Sequence, residues 1–297
     1  MQKKIAKRIQ NSLPVFLFIG PSALALIIVM VYPSISAVML SLKDFVNKEL
    51  TYVGFANYPA AFLDSTTWSS LWITTKFTFF SVSLSLILGL FLALVLNKQT
   101  WGRKFFRTAF MLPWPMLNVV VAILFSWMFN AQYGIVNEIF VKLGLLNQYK
   151  SWFTDGQTAL LLVELAVAWK EAPFFMLMIL AAMQSIPQDQ YEAAAVDGAT
   201  GWQELIYITL PNLRYIILIT TILQIIWQFR VYDFVAIMTN GGPNKATEVL
   251  SVLVFKNSFE FFRFGKGAAI AVLMTVVILL FTIAYLWILR KRETDFV

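Results

Sequence analysis

EAAAVDGATGWQELIYITLP, running from Glu192 to Pro211, is a polar interval set between two long apolar stretches. Its order is specific: Glu192-Ala193-Ala194, three residues, Gly198, nine residues, then Ile208, Leu210 and Pro211. A turn between membrane helices needs only enough polarity to reverse the chain, whereas this interval carries helix signals of its own. Pro187 suits a first helical turn, where its missing N–H costs nothing. Gln188 to Val196 then reads as a helix, and Asp197-Gly198 ends it, because glycine accepts the left-handed conformation found just past a helix. Thr200 and Gln203 match a capping box that starts a second short helix, and Leu210 and Pro211 stop it before the next apolar run. Two short helices at an angle, hinged at Gly198, are expected. Ala193 and Ala194 leave little bulk, so the first helix can seat in a groove of another protein with the Glu192 carboxylate at its base. A helix pair lying on lipid is the competing reading, but such helices are rich in Lys and Arg. Here four acids, Asp189, Glu192, Asp197 and Glu204, precede the first base, Arg214. The interval reads as a protein-docking element.

Composition places that element on a membrane protein. Hydrophobic residues make up 59% of the 297 residues and charged ones 13%, against about 45–50% and about 25% in a soluble domain. Mean hydropathy is +0.72. The chain has no Cys, which excludes disulfides, thiolate chemistry and cysteine zinc sites. It has no His either, so the usual general base and the commonest metal ligand are missing. Both absences weigh against an enzyme. A net charge of +7 could suggest nucleic acid, but the bases cluster at the ends of apolar runs, where membrane orientation needs them.

Six stretches approach the roughly 20 apolar residues that a helix needs to cross the hydrocarbon core. They lie near 14–40, 71–96, 108–129, 158–183, 214–239 and 267–289. The first is too long for a signal-peptide core of roughly 7–15 residues and no small-residue cleavage site follows it. Pro21, Pro33, Pro113, Pro115 and Pro173 fall within these spans, a placement membrane helices tolerate where neighbours satisfy the freed backbone groups. Ser81, Ser83, Ser85 and Gly89 in the second span suit close helix packing. Twelve bases fall on one side: Lys3, Lys4, Lys7, Arg8, Lys98, Arg103, Lys104, Arg107, Arg214, Arg290, Lys291 and Arg292. The other, longer connections hold eight: Lys43, Lys48, Lys142, Lys150, Lys245, Lys256, Arg263 and Lys266. The denser side is cytoplasmic, which puts both termini and the docking interval inside. Residues 1–13 then form a cytoplasmic N-terminus, and 14–297 a single transmembrane domain with a cytoplasmic loop at 184–213. Outside lie segments 43–70, 130–156 (with a short helix candidate, Ile135 to Leu146) and 240–266, which opens on the turn Asn240-Gly241-Gly242-Pro243.

Ionisable residues within spans cost about 2.5–3.5 kcal/mol each at a helix centre and mark functional candidates. Lys170, Glu171, Arg230 and Asp233 sit near the middle of the fourth and fifth spans, with Glu164 and Lys76 as further candidates. Gln224, Trp227, Gln228 and Val231 share one face of the fifth span. Two amides bond hydroxyls and an indole packs on ring C–H groups, so this face suits a sugar. Val167, Glu171 and Phe174 share a face of the fourth span, and Pro173 could open the backbone beside Glu171. The plainer alternative is that the amides bond between helices and the charges form structural pairs, Lys170–Glu164 and Arg230–Asp233.

The full spacing of Glu192–Pro211 resembles the EAA loop of bacterial ABC importer permeases. Phe55–Tyr58 (F-x-N-Y), Phe106–Pro113 (FRTAFMLP) and Thr239–Pro243 (TNGGP) are similar to the carbohydrate-type permeases of maltose-like and glycerol-phosphate-like systems. The resemblance implies an all-α, type I (MetI-like) permease fold with six transmembrane helices, in a bacterial inner membrane. It implies a second permease subunit, two ATPase subunits that carry ATP and Mg, and an extracytoplasmic binding protein. Glu192, Ala193, Ala194 and Gly198 would form the core of the ATPase contact, with Asp197, Leu210 and Pro211 in the same loop. The large outer domain and additional N-terminal helices of the maltose subunit are absent from the pattern. The TNGGP turn and the outer loops would meet the binding protein. The chain has no G-x-x-x-x-G-K-[ST] run to hold ATP phosphates itself. Two other readings fit less well. A membrane-embedded glycosyl or acyl transferase would need convergent catalytic groups, and a stand-alone secondary transporter, often built from internal repeats, leaves the docking loop unexplained.

Overall fold

The computed structural model describes residues 18–46, 49–98 and 102–294. The expected N-terminal segment 1–13 and its bases lie outside the described residues, as does Lys48. Among the described residues, five helices are long and apolar enough to cross a membrane. They are α1 (Phe18–Ser41), α3 (Ser65–Lys98), α7 (Gly156–Met183), α9 (Gly201–Phe229) and the Phe264–Trp287 part of α12 (Phe264–Thr294). Between them lie α2 (Asn57–Phe62), α4 (Arg103–Met111), α5 (Asn118–Met128), α6 (Ile135–Lys142), α8 (Gln188–Val196), α10 (Asp233–Met238) and α11 (Leu250–Phe255). A hairpin, β1 (Lys43–Val46) with β2 (Glu49–Tyr52), pairs Lys43 with Tyr52 and Phe45 with Leu50.

Three expected elements change. The stretch 108–129 is not one span: α4 ends at Met111 and the 11-residue α5 starts at Asn118. Pro113 and Pro115 have no N–H to continue the helical hydrogen-bond ladder, so tight turns replace the helix there, with Trp114 N–H bonding Met111 O at 3.2 Å. The stretch 214–239 is interrupted as well, since α9 ends at Phe229 and α10 begins at Asp233. Conversely, Leu210 and Pro211 do not stop the second helix of the elbow, the pair hinged at Gly198. It runs unbroken into the next span as α9, 29 residues long. The reason is a π-turn over Leu205–Thr209, closed by Leu210 N–H on Leu205 O. That wider turn takes up the backbone mismatch a proline creates within a helix.

Two compact units divide the chain: residues up to Asp64 with Val254–Thr275, and Ser65–Leu253 with residues from Val276 on. In the first, Asn57 donates its side-chain amide to Ser41 O and Lys43 O, both at 2.9 Å. Gly265 is a close approach: a Cβ there would stand 2.0 Å from Lys43 O. Lys266 Nζ pairs with Asp64 Oδ2 at 2.7 Å.

In the second unit α3 packs along α7. Ser81, Ser85 and Gly89 are buried, in keeping with their reading as small packing residues. The hydroxyls of Ser81 and Ser85 donate back to Phe77 O and Ser81 O, so neither is left bare at the contact. A Cβ on Gly89 would come within 2.4 Å of the Phe175 Cβ. Helix α7 continues through Pro173. Two apolar clusters fill this unit, one around Phe77, Val163, Val167 and Phe234, the other around Leu96, Phe175, Ile179 and Leu213.

Candidate functional site

The elbow is built by local rules. Helix α8 stops because Gly198 turns left-handed, φ +77°, and Ala199 N–H reaches back to Ala194 O at 2.9 Å, the bond that closes many helix ends. Thr200 then starts α9 with a full capping box: its N–H donates to Gln203 Oε1 at 2.7 Å, and Gln203 N–H donates to Thr200 Oγ1 at 3.4 Å. Two bonds tie the arms together, Tyr191 Oη to Thr209 Oγ1 at 2.9 Å and Asn212 Nδ2 to Gln190 Oε1 at 2.9 Å. Glu192, Ala193, Asp197, Gly198 and Pro211 are exposed, while Ala194 and Leu210 are half-buried. Leu210 and Pro211 lie within α9 and not at the end of a separate short helix. Four large apolar side chains are exposed nearby, Val196, Trp202, Ile206 and Tyr207.

A cavity of about 670 Å³ opens between α5, α7 and the end of α9, lined by Trp114, Asn118, Lys170, Glu171, Trp227, Gln228 and residues 230–234. Its polar floor is a chain of buried bonds. Lys170 Nζ meets Glu171 Oε1 at 3.1 Å, Gln224 Nε2 donates to Glu171 Oε2 at 3.0 Å, and Gln228 Nε2 donates to Gln224 Oε1 at 3.1 Å. Beside it three rings meet in series. Trp114 stacks on Phe174 with 5.9 Å between centroids, and Phe174 tilts against Trp227 at 5.2 Å. Such a surface offers flat apolar faces beside fixed polar groups, the usual make-up of a small-molecule site.

The expected path residues separate into three groups. Trp227, Gln228, Glu171 and Val231 line the cavity. Gln224 is fully buried beneath it, and Phe174 supports both indoles. Val167 belongs to the apolar core. The anticipated structural pairs form differently: Lys170 bonds its neighbour Glu171 and not Glu164, and Asp233 Oδ2 accepts from Asn118 Nδ2 at 3.1 Å and not from Arg230. Trp114, Asn118 and Tyr232 were missed. The Pro113–Pro115 pair was the available signal, since the break it imposes places Trp114 on the turns that border the cavity.

Outside the spans, the loop 130–156 is held by Asn137, fully buried, which bonds Asn130 O, the Lys150 backbone and the Trp152 indole. Glu138 pairs with Lys142 at 2.8 Å and accepts from the Tyr149 hydroxyl; these bonds, Lys142 first, hold its carboxyl below the usual range. Asp155 caps α7 through the Thr158 hydroxyl and N–H, which lower its carboxyl likewise.

Residues 85–294 match the family described as binding-protein-dependent transport system inner membrane component. The trehalose/maltose transport system permease protein MalF of Thermococcus litoralis is 36% identical, over 94% of this chain and 94% of its own length. The sulfoquinovosyl glycerol transport system permease protein SmoG of Agrobacterium fabrum is 34% identical, over 93% and 90%. A crystallised bacterial ABC transporter that imports alginate has the same fold, with a TM-score of 0.86 at 22% identity over 97% of this chain and 99% of that one. The chain is a member of the family of binding-protein-dependent transport system inner membrane components.

Proposed function

We propose that this protein is the permease subunit of an ATP-driven ABC importer that, with a second permease, forms the path for a sugar or related solute. Relatives named for trehalose/maltose and sulfoquinovosyl glycerol transport support a sugar, as does the aromatic Trp114–Phe174–Trp227 surface beside the buried amides. An extracytoplasmic binding protein delivers the solute, and two ATPase subunits bind at the elbow, with ATP and Mg on those subunits. The chain is a transport subunit and not an enzyme. It crosses the membrane six times, with the broken α4–α5 pair as the third crossing, and keeps both termini in the cytoplasm.

The single observation that carries this reading is the continuity of α9. Its 29 residues reach about 44 Å at the α-helical rise, with the elbow at one end and the cavity at the other. A displacement imposed on Glu192–Gly198 by a closing ATPase pair is passed by one rod to Trp227 and Gln228. The test is ATP-driven uptake by the complete importer in proteoliposomes, with Leu218-Ile219 replaced by Gly-Gly to soften the rod without shifting its frame. Uptake should fall at least tenfold while the ATPase subunits stay bound. Full uptake in that variant removes the mechanical link.

A further inference from the structure

Four ionisable side chains line the cavity: Lys170, Glu171, Arg230 and Asp233. Three are engaged. Lys170 is ion-paired to Glu171, the second Glu171 oxygen takes the Gln224 amide, and Asp233 accepts from Asn118. Arg230 stands apart. Among the described residues its guanidinium has neither a hydrogen-bond nor an ion-pair partner, and the side chain is exposed. It sits on the short irregular turn that separates α9 from α10, so backbone geometry presents it at the mouth of the helix break.

Arg230 follows directly on the candidate span that ends at Phe229, where a guanidinium without a partner is costly. The carbonyls at the end of α9 favour a cation at this position, but they leave its N–H donors unused. Those donors form a planar fork that matches an oxyanion with two parallel bonds. The indoles of Trp114 and Trp227 stand in the same cavity, where a sugar ring can lie against them while a charged substituent reaches the fork. Asp233, which makes no ion pair with Arg230, has one oxygen held by Asn118 and can accept a sugar hydroxyl with the other.

We infer that Arg230 is the anion-recognising residue of this cavity and that the transported sugar carries a carboxylate, sulfonate or phosphate group. This rests on the sugar-importer reading and narrows its substrate class.

The test is uptake by the complete importer, reconstituted with its partner subunits and binding protein. The panel is maltose and trehalose against a uronic-acid disaccharide, a sulfonated sugar and a sugar phosphate, which separates the three sources of negative charge. At least one acidic sugar should be imported, and Arg230→Gln should lower its uptake about tenfold at low concentration, the loss of one charge-assisted contact. That loss should appear chiefly in KM, with subunit co-purification unchanged. Should Arg230→Gln not assemble, Arg230→Lys decides on the same readout, because it keeps the charge and loses the fork: a raised KM supports the assignment and an unchanged KM overturns it. Import of neutral sugars only, or acidic uptake indifferent to Arg230→Gln, overturns the assignment and leaves the sugar importer standing. No import of any panel member by a complex whose ATPase responds to the binding protein overturns both.

Discussion

Gln224 on α9 donates its side-chain amide to Glu171 on α7 at 3.0 Å, between two residues that are fully or almost fully buried. This bond fixes the cavity floor, because Glu171 also holds Lys170 and Gln224 also holds Gln228. Replacing Gln224 with Leu removes a hydrogen bond to a charged partner and should destabilise the permease by about 1.5–3 kcal/mol. Glu171→Ala strands the buried Lys170 ammonium and should cost about 3–5 kcal/mol. Thermal melting in detergent, comparing both variants with the parent protein, checks the order. Equal or negligible losses would mean the network is not formed.

Gly89 sets the distance between α3 and α7, since a Cβ there would stand 2.4 Å from Phe175 Cβ and 2.7 Å from Ala172 O. Gly89→Leu should lower stability by about 1–3 kcal/mol or more, as overpacking does. The same change at Gly20, where nothing lies within 4 Å of the added carbon, should be nearly silent. A melting comparison separates the two.

The elbow makes a prediction about assembly. Glu192→Lys reverses the charge of an exposed carboxylate, and Gly198→Pro cannot adopt the left-handed φ of +77° found there. Both should release the ATPase subunits on co-purification while the permease keeps its melting temperature within a few degrees. Variants that retain the ATPase and full uptake would remove the elbow from the docking surface.

In the cavity, Trp227→Ala and Trp114→Ala each remove a flat face while leaving the Glu171 network intact. Each should reduce uptake at least tenfold with normal subunit assembly, and Phe174→Ala should do the same by unsettling both indoles. Normal uptake in the Trp227 variant would take that residue out of the path.

Asp155 titrates outside the spans. Its folded pKa is lowered by the Thr158 hydroxyl and N–H, so the unfolded chain takes up the proton first as pH falls. The cap therefore stabilises above the usual carboxylate range and is lost as pH drops through the lowered folded value. Asp155→Asn, which still accepts the Thr158 N–H, should flatten the acid side of the melting-temperature profile. An unchanged slope would assign that acid loss to other carboxylates.

How much of this was legible follows from which interactions are local. The end of α8 at Gly198 and the Thr200–Gln203 box could be read directly, because both depend on neighbours within one turn. Amide and indole positions on α9 were also readable from helical period. Pro211 misled, because the π-turn that accommodates it leaves no composition signal. Pro113 and Pro115 misled in the opposite sense, because an apolar run hides a break that its prolines impose. The partner of Asp233 depends on which helices cross, Asn118 being 115 residues away, and no spacing rule reaches that far. The hairpin at Lys43–Tyr52 lay in a segment without strict alternation and was missed for that reason.

A π-turn amounts to one residue inserted into an α-helix, so everything beyond Leu205–Thr209 is rotated by roughly 100° relative to what precedes it. This single insertion sets the azimuth at which Gln224 meets Glu171. Reverting the widening by deleting one residue would turn both amides and Trp227 by roughly 100° away from Glu171, with the capping box and the turn at Gly198 untouched. The polar face of the cavity in such a chain can therefore be re-aimed by a frame change several helical turns away, a kind of variation that comparing side chains at aligned positions would overlook.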